Sequence, residues 1–341
     1  MKKLFYIPLV LLVALGACKN QDWDYPDYDS QTVYFPYQFP VRTITLGDDI
    51  FDTSMDNAHK CKIMAGTGGV YTANSDVVID VTVDNAMCEG LFRFAGGGDL
   101  VPMPANYYSL LSNQITIPSG EISGGVEVQL TDAFFADPLA IQKTYVIPLR
   151  MTNVANADSI LEGKPNTSTA RRGVSGDWAI APMDYVFYAV KYINPWHGFY
   201  LRRGKDVVTG KDGNAALNES FVRHAAYVEK DEVNSLTTLA YKQTSFPVTL
   251  TLSGTKAIYN LILSFDDNGN CTVSSDSQTF TATGSGKFVS KGEKNSWGSK
   301  DRDALYLSYQ IELADRTVAT TDTLVMRNRG VVVETFTPEL K

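Results

Sequence analysis

Past residue 17 the 341-residue chain has no apolar stretch that approaches the roughly 20 residues of a membrane-spanning helix. Histidine is scarce: His59, His197 and His224 are the only three, and no H-E-x-x-H brings a pair together. The four cysteines lack C-x-x-C spacing, which removes a zinc signature. A G-x-S-x-G elbow, the commonest serine-hydrolase mark, is missing too. Gly284-Ser285-Gly286-Lys287 is no P-loop, because Phe288 stands where Ser or Thr is needed and no helical pattern follows. The net charge of −8 is spread without a long block of either sign, which argues against nucleic acid as a partner. No metal, no cofactor and no catalytic residue are expected. Glycoside hydrolysis is the remaining catalytic alternative, since it needs only two carboxylates at a suitable distance.

What is present begins with Lys2 and Lys3, followed by an apolar run over 4–15, the layout of an export signal occupying residues 1–17. Leu15-Gly16-Ala17-Cys18 then resembles the lipobox of bacterial lipoproteins, in which the cysteine thiol receives diacylglycerol. That implies an anchor at Cys18, since buried acyl chains hold a protein to a membrane at about 0.8 kcal/mol per CH₂ without a spanning helix. Residues 18–30 form a tether carrying Asp22, Asp24, Asp27 and Asp29. Acids in this position resemble the surface-export signal of Bacteroidetes lipoproteins, although Lys19 departs from its most acidic versions. The expected location is the outer membrane, facing outward. Setting Cys18 aside leaves Cys61, Cys88 and Cys271 as buried thiols, or as one Cys61–Cys88 disulfide and one thiol.

The main body is rich in Tyr (18) and Phe (16), with short apolar runs broken by turn residues, the composition of a β protein. Val77, Ile79, Val81 and Val83 interleave with Val78, Asp80 and Thr82; Tyr145, Ile147, Leu149 and Met151 interleave with Val146, Pro148 and Arg150. Each run is expected to bury one face. An immunoglobulin-like β-sandwich is expected over 31–155 and a linker over 156–176, where apolar periodicity is absent. A second β domain is expected over 177–341, as an antiparallel barrel or second sandwich. Asp266-Asp267-Asn268-Gly269-Asn270 reads as a hairpin turn; the distal glutamate of a calcium loop is missing.

The string YYSLLSNQITIPSGEISGGVEVQL (107–130), followed by YVIPLRMTN (145–153), resembles an N-terminal domain common in Bacteroidetes surface lipoproteins and found ahead of family-18 glycosidase-like modules. NPWHGFYLRRG (194–204) and GSGKFVSKGEKNSWGSKDRDALYLSYQI (284–311) resemble the C-terminal β domain that often accompanies it. The resemblance implies a glycan-binding accessory of a polysaccharide-utilisation system, working beside an outer-membrane glycan importer. It assigns no site, and catalysis does not carry over to a chain with a β domain where relatives have a glycosidase module.

Sugars are held by aromatic faces together with polar side chains that meet hydroxyls. Trp196, in a Pro- and Gly-flanked loop, is either a platform or an inward plug; beside it His197 either meets ligand or bonds a carbonyl. Trp297, near Asn295, carries the same two alternatives. Arg202, after Tyr200, either clamps a sugar or pairs with an acid such as Asp301 or Asp303. A structural or adhesin-type role, or attachment to a transporter, is the rival reading, and it expects an exposed apolar patch.

Overall fold

The computed structural model describes residues 28–70 and 73–341; Cys18, Trp23 and the tether as far as Asp27 lie outside them. The described chain is nearly all β, 54% strand and 9% helix. None of its helices is long and apolar enough to cross a membrane.

Two sheets face each other in the first half. One has the order Ser159–Ile160, Thr32–Tyr34, Lys60–Gly68, Ser123–Leu130, Tyr108–Leu110. The other runs Glu334–Thr335, Pro40–Thr45, Tyr185–Ile193, Tyr145–Ala155, Val77–Val83, Gln114–Ile117. Alternation of the expected kind builds the core between them: Val77, Ile79 and Val81 point in with Ile63, Val126 and Val128 from across.

The two central strands of the second sheet depart from alternation. Tyr145 to Leu149 are all buried, as are the first six residues of Tyr185–Ile193. A further apolar layer is the reason: Phe92, Phe94, Leu100 and Phe336 cover the outer face, so Val146, Phe187 and Ala189 are buried on the side expected to meet solvent. These strands are sandwiched twice.

Strand pairing divides the chain later than its sequence suggests. Ser159–Ile160, inside the expected linker, pairs in parallel with Thr32–Val33. Arg172 Nε donates to Asp184 Oδ1 at 3.0 Å, fastening the same stretch. Tyr185–Ile193, assigned above to the second domain, lies between Pro40–Thr45 and Tyr145–Ala155. The sheets therefore part at Asn194. Turn-rich composition marked 156–176 as irregular but did not reveal the strand edge it would find.

Between the two architectures open for the second half, the structure is a closed eight-stranded antiparallel barrel. Gly198–Gly210 leads through Glu232–Ala240, Gln243–Leu252, Thr255–Phe265, Asn270–Ser274, Thr281–Glu293 and Arg302–Glu312 to Arg316–Asn328. The last strand pairs back along the first from Phe199↔Asn328 to Gly210↔Arg316, so the barrel has no open edge there. Its inside is packed with Tyr200, Phe246, Leu263, Leu305, Ile311 and Leu324. Asp266 Oδ1 accepts the amide N–H groups of Asn268 and Asn270, and Gly269 takes φ +77°, forming the expected hairpin turn.

One arginine ties the two halves. Arg329, 3% exposed, donates from Nε to the carbonyl of His197 (2.7 Å) and from Nη1 to that of Asp48 (2.9 Å). Its Nη2 reaches the carbonyls of Leu46 (3.0 Å) and Asn194 (2.7 Å). Asn194 in turn donates to the carbonyls of Ala240 and Gln243 in the barrel. Gly47, at φ +84°, turns the chain where a Cβ would lie 2.9 Å from that of Pro195.

Candidate functional site

The residues singled out from sequence do not converge on one surface. Trp196 is 8% exposed and stacks on Phe265, centroids 4.0 Å apart and planes 6° from parallel, so it plugs the barrel end instead of offering a platform. Tyr200 is wholly buried beneath it and donates its hydroxyl to the Trp196 carbonyl at 2.8 Å. His197 beside them is half-buried, its Nδ1 accepting the Thr238 N–H at 3.1 Å. Burial, then the charges of Arg329 and Lys191, push its pKa down to about 4, and the ring is neutral.

Arg202 points into the barrel. Its Nε donates to Asp322 Oδ2 (2.9 Å) and its Nη2 to the Tyr309 hydroxyl (3.1 Å), which itself donates to Asp322. The acid partners are thus Asp322 and, at 3.8 Å, Glu232, not Asp301 or Asp303. Arg223 pairs with Asp206 and Asp322 and extends the network. Ionic groups at one level and close-packed side chains at the next fill the interior where barrels of this strand number can hold a small ligand.

Trp297 is half-buried; its Nε1 donates to the Met326 carbonyl at 3.1 Å, and the Arg302 guanidinium lies 3.4 Å from its ring centroid. Asn295, exposed at φ +46°, donates its backbone N–H to Asp301. Through Met326 the loop of this pair touches the outside of the core cluster that holds Trp196 and Tyr200, but Trp297 and the buried Trp196 do not share an exposed face. Cys61, Cys88 and Cys271 are free and buried, each with its pKa raised by burial to about 12.

A groove of about 480 Å³ lies elsewhere, where the sandwich meets the chain leaving the barrel. Its floor is the strand Pro40–Thr45, whose outer edge is covered by Glu334–Thr335 only at Pro40 and Val41. Beyond that point Thr43 and Thr45 line the floor, and neither hydroxyl has a hydrogen-bond partner among the described residues. One wall is the turn 46–53 leading into the single helical turn Ser54–Asn57; Asp52, just before the Thr53 cap, accepts the Ser54 N–H at 2.9 Å. Hydrogen bonding to Ser54 lowers the Asp52 pKa.

The short helix delivers Asp56 into the base of the groove. There it accepts the Thr45 N–H (2.9 Å) and pairs with Arg42, which also donates to the Thr43 carbonyl (2.8 Å). Burial raises the Asp56 pKa, opposed by those two partners. At the rim stand two aromatic rings, Tyr37 at 69% and Phe51 at 70% exposure. Facing them, Val332 and Val333 are 66% and 100% exposed. An apolar cleft with a few convergent polar groups, within the usual size range of ligand sites, is the common form of a binding site.

Sequence reasoning missed all of these residues. A usable signal was present in GDDIFDTS, where Ile50 and Phe51 interrupt a run of acids, and in the unalternated Val331-Val332-Val333. Among the described residues, no three His, Cys, Asp or Glu side chains converge as metal ligands.

Comparison with known proteins matches residues 195–330 to a family described as a domain of unknown function (DUF5627). Residues 28–158 match a family described as an N-terminal domain. No curated protein matches. A solved Bacteroides ovatus protein of unknown function is 48% identical, with a TM-score of 0.85 over 93% of this chain and 100% of that one. An auxiliary nutrient binding protein from Bacteroides thetaiotaomicron aligns over 84% of this chain and 90% of its own, at 15% identity and a TM-score of only 0.35. The chain belongs to the family of the Bacteroides ovatus protein, two-domain and all-β, whose second half is the domain of unknown function (DUF5627).

Proposed function

We propose that this protein is a non-catalytic surface lipoprotein that captures glycan in the groove between Tyr37, Phe51 and the 331–335 segment, as an accessory to an outer-membrane glycan importer. The observation that carries the reading is the pairing of two exposed aromatic rings with a polar floor. Sugar C–H faces stack on such rings while hydroxyls meet Thr43, Thr45 and the acids around them. The lipobox-like LGAC and the family resemblance support the surface location. A non-catalytic role is supported by Asp56, whose carboxylate is committed to Thr45 and Arg42 and so is a poor proton donor or nucleophile.

Native gels containing plant, host and microbial polysaccharides test the capture. At least one polymer should retard the protein, and Tyr37→Ala with Phe51→Ala should weaken retention by roughly tenfold, about 1 kcal/mol or slightly more in lost stacking. Retention unchanged in that double variant would remove the groove from the account. For the anchor, wild type should partition into detergent and Cys18→Ala should not; equal partitioning would contradict lipidation.

A second reading is a protein-docking surface, and exposed Val332 and Val333 favour it. A co-purifying outer-membrane protein lost in Val332→Ser/Val333→Ser, with no glycan retention, would select it.

A further inference from the structure

We infer that the groove accepts uncharged glycan and turns away glycan bearing uronate or other carboxylates; this rests on the capture reading above. Recognition of an acidic sugar calls for a cation free to receive it, commonly a bidentate guanidinium. Arg42, the one cation among the described residues that line this groove, is already engaged, as are Lys191 and Arg329 behind it. Arg42 is held by Asp56 and the Thr43 carbonyl. Lys191, behind the 334–335 strand, pairs with Glu334 at 2.6 Å. Arg329, behind the 46–49 turn, spends its N–H groups on four backbone carbonyls.

The acids of the groove are placed the other way. Asp49, Asp52, Asp56 and Glu334 line it, and of these only Asp56 and Glu334 have a cationic partner among the described residues. Asp49 Oδ1 accepts its neighbour Ile50's N–H, and Asp52 Oδ1 accepts that of Ser54. Each carboxylate keeps acceptor capacity for ligand hydroxyls, and hydrogen bonds to a charged acceptor are the stronger kind. The hydroxyls of Thr43 and Thr45 donate or accept beside them. A neutral polyol meets this set with donors; a uronate meets it with a like charge. At contact distances that repulsion is worth about tenfold in affinity or more, shrinking as salt rises.

The test is titration calorimetry of the whole protein at low salt, with xylo-, manno- and cello-oligosaccharides against oligogalacturonates of equal length. The expected result is binding of at least one neutral series, with oligogalacturonate about tenfold weaker or undetectable. Asp49→Asn/Asp52→Asn should narrow that gap; the asparagine Oδ1 can still accept the Ser54 N–H that Asp52 accepts, and a thermal melt confirms the fold. Oligogalacturonate binding as tightly as every neutral series, and lost in Phe51→Ala, would overturn the charge preference while leaving capture intact. Absence of binding by every sugar would overturn the capture reading, and this inference with it.

Discussion

His197 is held where both burial and hydrogen bonding demand a neutral ring: its Nδ1 must keep a lone pair for the Thr238 N–H. Its pKa falls to about 4 in the fold from 6.5 in the unfolded chain, so between those values the unfolded chain binds more protons. Stability from this residue is complete above pH 6.5 and declines as pH falls toward 4, by on the order of 2–3 kcal/mol. Urea denaturation of wild type and His197→Asn should therefore diverge over that window, with the variant showing the shallower pH dependence. Parallel curves would mean that His197 titrates freely. Trp196 and Arg202 show what single residues conceal in sequence. Asn194-Pro195-Trp196-His197-Gly198 is indeed a crossing between elements, since Pro and Gly punctuate there. The side an indole faces depends on Phe265, some seventy residues on, and no local pattern encodes it. Asp322, the partner of Arg202, lies farther still along the chain.

At the scale of elements, period-two alternation was readable where one face is wet and the pattern is clean, as in Val77–Val83. Tyr185–Ile193 was readable as β but not as a member of the first sheet, because a doubly buried strand carries no face preference to name its neighbour. Barrel closure was open for a similar reason: it rests on pairing of Gly198–Gly210 with Arg316–Asn328, the first and last strands. The connections that join the halves depend on Arg329. Removing its guanidinium would leave the carbonyls of Leu46, Asp48, Asn194 and His197 without that donor in a largely buried junction. Arg329→Ala should cost roughly 3–5 kcal/mol in urea denaturation, with Arg329→Lys recovering only part, since an ammonium has three donors. A cost below about 1 kcal/mol would show that water replaces the side chain readily. Because Arg329 also positions the 46–49 turn, the variant should lose groove binding before it loses the barrel.

For the whole molecule, the groove is a product of assembly. Tyr37 comes from the connection between the sandwich's first two strands and Arg42 from the second of them, Phe51 from the following turn, Asp56 from the helical turn after it, and 331–335 from the far end of the chain after the barrel. Only the fold brings these together, which is why the tryptophans, obvious in sequence, drew attention to the barrel instead. The barrel's filled interior and closed wall suit a rigid body that returns the chain to the sandwich and covers part of its exposed edge. The central claim is therefore one of location. Crystals of the protein grown with the oligosaccharide that binds best should show sugar against Tyr37 and Phe51, with hydroxyls on Thr43, Thr45, Asp49 or Asp52. Sugar bound instead at Trp297 and Asn295, or elsewhere on the barrel wall, with the groove empty, would contradict the account.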